Sequence, residues 1–111
     1  MFRSEAQRAR ACHALCSMAR LERLWTSTGP TPEAIALFEA GGGPLSSGEQ
    51  VVLFAAWAFW NGDCNATLAD VIFRLDPSNL RTIATLMLAL GQGGHAIERW
   101  IATCQDRRQL P

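Results

Sequence analysis

Apolar residues recur along this chain at spacings of three and four, and once they run together without a break. The run is Val51-Val52-Leu53-Phe54-Ala55-Ala56-Trp57-Ala58-Phe59-Trp60. Helix punctuation brackets it. Ser46 can accept from the Glu49 amide while the Glu49 carboxylate returns to the Ser46 amide, the reciprocal pair that opens many helices. Asn61-Gly62 supplies a left-handed stop. A bilayer takes about 20 apolar residues to cross, so this run predicts a buried helix over residues 47–61 with the rest of the chain around it. At 100° per residue, Val51, Ala55, Ala58 and Gly62 make a smooth side that another helix can approach. Leu53, Trp57 and Trp60 crowd the opposite side, and Gln50 and Asn61 form a polar lane between Trp57 and Phe54. Size assigns Phe54 and Trp57 to the core. Their place beside the polar lane makes them interface candidates as well.

The flanking segments repeat the helical period. Residues 3–26 predict one long amphipathic helix, with Ala11, Ala14, Leu15, Met18, Leu21 and Trp25 on one stripe and Arg10, His13, Ser17 and Arg20 opposite, Leu24 among them. Thr26-Ser27-Thr28-Gly29-Pro30 ends it. Thr31, with Pro32 at the first helical position and Glu33 in the first turn, caps a short helix that points Ile35 and Phe38 inward. Gly41-Gly42-Gly43-Pro44 follows as the loosest stretch of the chain. After a tight connection at 61–66, Thr67 and Asp70 cap a helix with the inward stripe Leu68, Val71, Ile72 and Leu75, and Phe73 points away from it. Asp76-Pro77 restarts the chain.

The helix expected over Pro77–Leu90 turns Leu80, Ile83, Ala84, Leu86, Met87 and Leu90 to the core. Its other face is Ser78, Arg81, Thr82, Thr85 and Ala89, with Leu88 at the border. That face is small and almost uncharged, an unusual surface to present to water. Gly91-Gln92-Gly93-Gly94 is a second hinge. A last helix from His95 to Arg107 buries Ile97, Trp100, Ile101 and Cys104, solvates Glu98, Arg99, Asp106 and Arg107, and frays over Gln109-Leu110-Pro111. No segment alternates with period two, and no linker divides the chain. The fold class is all-α: one domain over 1–111, five to six helices around a central apolar one.

Composition sharpens this picture at three points. The 111 residues can bury about two-thirds of their unfolded surface, and 49% hydrophobic against 18% charged residues describes an ordered globule. The formal net charge is zero, so bulk attraction to nucleic acid or an anionic membrane is absent. Residues 1–25 nevertheless hold Arg3, Arg8, Arg10, Arg20 and Arg23 against Glu5 and Glu22. Arg10 and Arg20 could meet phosphates or an acidic protein surface, although a charge run is ordinarily a solvated face. Four irregularly spaced cysteines with no secretory leader predict reduced thiols in a cytoplasmic protein.

Chemical motifs fall short when taken one at a time. Cys12 and Cys16 share a helix face, but His13 is rotated about 100° away, and four convergent zinc donors would need others brought in by folding. Asn61, Asp63, Asn65 and Thr67 alternate like a calcium loop, yet Ala66 replaces its glycine and Ile72 its terminal glutamate. Gly41-Gly42-Gly43-Pro44 lacks the Gly-Lys-Ser/Thr ending of a phosphate loop. The segment 67–90 imitates a helix-turn-helix but offers only Asn79 and Arg81 to read bases. Glu33, Glu49, Asp70 and Asp76 all stand where helix starts want a carboxylate. No catalytic residue, metal or cofactor is assigned. The expectation is a non-enzymatic domain that binds a protein or a second copy of itself, as an adaptor, inhibitor or oligomerisation unit. Its interface residues are Arg81, Thr85 and Leu88, then Phe54, Trp57 and Phe73, then Arg10 and Arg20. The alternative is a nucleic-acid-associated regulator using the arginine face.

Overall fold

Side-chain caps start five helices. The computed structural model describes residues 1–63 and 66–109, so the connection at Cys64-Asn65 and the end at Leu110-Pro111 lie outside the described residues. Ser4 accepts from the Gln7 amide and opens α1 (Glu5–Met18), and Thr31 does the same for α2 (Pro32–Glu39). Full capping boxes open α3 (Ser47–Asn61), through Ser46 and Glu49, and α4 (Leu68–Arg74), through Thr67 and Asp70. Asp76 caps α5 (Pro77–Gln92), and α6 (Gly94–Gln109) completes the six. The chain is all-α apart from one short hairpin.

The long first helix stops early. α1 ends at Met18, where Arg20 takes a left-handed conformation at φ 62°. The Leu21 amide donates to Cys16 O at 2.8 Å and the Arg20 amide to Ser17 O at 3.1 Å, the two bonds of a Schellman stop. A 3-10 turn at Glu22–Leu24 then leads into β1 (Trp25–Thr26), paired antiparallel with β2 (Gly29–Pro30). Leu21 and Trp25 are buried, so their spacing continues the stripe of a helix that the chain has already left, and Leu24, which a continuing helix would turn to the polar side, is buried as well. Glycine is the residue that suits such a stop. Arg20→Gly is therefore expected to raise stability by about 0.5–1 kcal/mol, read as a higher urea midpoint at unchanged m-value. A loss would show the Arg20 side chain making a contact that outweighs its backbone strain.

α3 is buried from Val51 to Trp57, and α1 shares the centre with it, lying against α3, α5, α6 and the hairpin. Small residues on α1 make this possible. Ala9, Ala11, Cys12, Ala14 and Cys16 are all buried, and Cys12 Sγ donates to Ala56 O at 3.5 Å. The glycine-rich connection is more ordered than its composition suggests. Gly41, Gly42 and Gly43 all have positive φ, and the first two amides close α2 on Phe38 O and Leu37 O. Gln50 Nε2 donates to Leu45 O at 3.0 Å, which ties the loop to α3.

α4 is turned differently from the expected stripe. Leu68 and Ile72 are exposed, Val71 is half-buried, and only Leu75 just beyond the helix is buried. Its anchor is polar: Arg74 Nε donates to Ser47 Oγ at 2.8 Å, and Arg74 Nη2 reaches Ser47 O and Gln50 Oε1. α5 runs two residues beyond Leu90, so Gly93 alone is the joint to α6. Among the described residues no helix is long and apolar enough to cross a membrane.

Candidate functional site

The expected interface residues separate into three groups. Phe54 and Trp57 are 6% and 8% exposed and pack on Phe38, one edge-on and the other tilted, with ring centroids 5.9 and 4.8 Å away. They belong to the core, and the polar lane beside them is occupied by Gln50 reaching the glycine loop. Phe73 and Leu88, by contrast, are 83% and 61% exposed. Leu68, Ile72 and Met87 join them at the surface. Spacing alone turns those three inward, because a seven-residue helix rich in apolar residues does not mark its own buried side, and because Met87 lies at the edge of a wide arc.

The small face of α5 has an intramolecular explanation. Thr82 and Ala89 are buried, and Thr85 Oγ1 accepts from Trp100 Nε1 of α6 at 2.9 Å. Small residues there let α5 and α6 approach. Over residues 79–90, α5 leaves Arg81, Ala84, Thr85, Met87 and Leu88 to solvent.

The arginine surplus of the N-terminal segment is largely matched within the fold. Arg10 grips Glu98 with both terminal nitrogens, the Nη1 contact at 3.0 Å. Arg8 donates to Trp60 O at 3.0 Å and lies 5.9 Å from that ring's centroid. Arg23 pairs with Glu33 at 3.1 Å. Arg20 remains exposed, its guanidinium without a hydrogen bond or ion pair to a described residue. Glu98 is held below the usual carboxylate range by Arg10 first and Gln7 second.

Two clefts flank Cys104. The larger, about 580 Å³, opens between α1, α6 and the hairpin, and Arg10, His13, Ser17, Glu22, Ser27 and Gln105 line it. The smaller, about 250 Å³, lies between α5 and α6, lined by Met18, Arg81, Thr85, Trp100, Thr103 and Arg107. Neither was legible in the sequence, since each draws on segments far apart in the chain. Burial pushes the Cys104 thiol up to about 11 and Cys16 up to about 12, so both stay protonated and unreactive near neutrality. Cys12 moves the same way, again by burial first. Among the described residues no three His, Cys, Asp or Glu side chains gather closely enough to hold a metal ion.

The carboxylates at helix starts are engaged there. Glu49 Oε1 accepts from the Ser46 amide at 2.9 Å, Asp70 Oδ2 from the Thr67 amide at 2.8 Å, and Asp76 Oδ1 from the Asn79 amide at 2.7 Å. The cap amides also hold Glu49 and Asp70 below the usual carboxylate range. No family model, curated protein or solved structure matches the chain.

Proposed function

We propose that this chain is a non-enzymatic protein-binding domain whose partner is a second copy of itself, docked on the outward sides of α4 and α5. One observation carries the reading. Leu68, Ile72, Phe73, Met87 and Leu88 are between 48% and 83% exposed, on two consecutive helices joined at Leu75-Asp76. Exposed apolar clusters on folded domains usually mark interfaces. A net charge of zero favours a second copy, because like molecules then approach without mutual repulsion. Free thiols at Cys12, Cys16 and Cys104 suit a reducing compartment such as the cytoplasm. Nucleic-acid binding through the arginine face is the weaker reading, because Arg8, Arg10 and Arg23 already have partners within the fold.

Sedimentation velocity over a range of concentrations tests this. The expected result is a dimer that Leu88→Arg or Phe73→Asp converts to monomer, with little change in the monomer's own stability since both side chains face solvent. A monomer at every concentration would overturn self-association. Salt-steep binding to random-sequence DNA, lost in an Arg10→Ala/Arg20→Ala double variant, would replace it with the nucleic-acid reading.

A further inference from the structure

The smaller cleft brings together two cations that the fold leaves unmatched. Arg81 comes from α5 and Arg107 from α6, and neither guanidinium forms an ion pair or hydrogen bond with a described residue. None of the described residues lining the cleft is acidic. This contrasts with Arg10, Arg23 and Arg74, each paired with a carboxylate. Two like charges in one concavity repel each other, and an anion between them turns that repulsion into attraction.

The neutral walls favour the same occupant. Trp100 and Cys104 are buried, and with Met18 they give the floor of the cleft an apolar lining that offers an anion no competing charge. The threonine protons are already committed: Thr82 Oγ1 donates to Ser78 O, Thr85 Oγ1 to Arg81 O, and Thr103 Oγ1 to Arg99 O. The charged donors left for a ligand are those of the arginines, whose planar fork fits the paired oxygens of carboxylate and phosphate. At about 250 Å³ the space falls short of the roughly 300–1,000 Å³ of drug-sized sites, and it suits a single anionic group.

We infer that this cleft is an oxyanion site that takes a carboxylate or phosphate group between Arg81 and Arg107. The inference concerns the single chain and does not rest on its self-association. Trp100 supplies a local reporter, because its indole N–H lies in the site on Thr85 and only four indole signals need assigning. Inorganic phosphate and acetate are titrated separately into the labelled protein, with chloride exchanged to hold ionic strength constant. The expected result is a saturable shift of the Trp100 indole signal. Affinity should fall about tenfold in Arg81→Gln or Arg107→Gln, as loss of a charge-assisted contact implies, and remain unchanged in Arg99→Gln, which does not line the cleft. Saturation by phosphate alone assigns a phosphorylated ligand, and saturation by acetate assigns a carboxylate. The other indole signals report whether each variant is folded. No saturable shift with either anion in the wild-type protein, or a shift that survives in the folded Arg81→Gln/Arg107→Gln double variant, overturns the site.

Discussion

Trp25→Ala is expected to cost about 3–5 kcal/mol of unfolding free energy, the largest loss from any single substitution considered for this chain. Trp25 is 1% exposed at the start of the hairpin, and its ring meets Trp57 and Trp60 edge-on at 5.4 and 6.0 Å. Truncation would open a cavity where α1, α3 and the hairpin come together. The indole nitrogens of Trp25 and Trp57 are both buried without a hydrogen-bond partner among the described residues. The polar end of Trp25 therefore adds little, and Trp25→Phe should cost only about 1–2 kcal/mol, since it keeps most of the ring and removes the orphaned donor. Urea unfolding of both variants makes the comparison. A loss below about 1 kcal/mol for the alanine variant would place the hairpin outside the cooperative core. Equal losses for the two variants would show the indole N–H to be satisfied after all. The same cluster claims Phe54 and Trp57, interface candidates by their place beside the polar lane: Phe38, Phe54, Trp57, Trp25 and Trp60 are spent on one another.

How legible each feature was depended on how far away its partner lies. Ser46, Thr67 and Asp76 announce helix starts because each cap bonds an amide only three residues on. The all-α class follows from those starts together with the three- and four-residue spacing. The stop at Met18 was not legible, because it rests on Arg20 adopting a conformation that glycine usually supplies while the apolar spacing continues through Trp25. The rotation of α4 was hidden for a different reason: with Leu68, Val71, Ile72 and Phe73 spread around seven residues, no side is distinguished until Arg74 docks on Ser47. Candidate site residues suffered most. Thr85 is satisfied by Trp100, 15 residues away, and Arg10 by Glu98, 88 residues away. Arg107 looked like an ordinary solvated charge until folding set it in the same cleft as Arg81.

The second large effect is expected at Gln7, where Gln7→Leu should cost about 2–3 kcal/mol although it keeps a side chain of similar bulk. Gln7 is 1% exposed, and its amide is used at both ends. Oε1 accepts from the Arg3 amide at 2.7 Å, while Nε2 donates to Gly94 O at 3.1 Å and to Glu98 Oε2 at 2.9 Å. Leucine would strip partners from the start of α1 and the start of α6 together. Part of that loss should depend on pH. Glu98, depressed by Arg10 and then Gln7, contributes stability above its unfolded pKa of about 4.3. That contribution is lost as pH falls through the lower folded value. Weakening the grip on Glu98 should therefore open the widest gap between wild type and Gln7→Leu at neutral pH, narrowing in acid. The Glu98 side chain is 35% exposed, so solvent screening keeps this share smaller than the share from the two backbone contacts. Urea midpoints at about pH 7 and about pH 3 separate the two shares. A gap that stays constant would assign the whole effect to Arg3 and Gly94, and a gap that widens in acid would contradict the hydrogen bond to the ionised carboxylate.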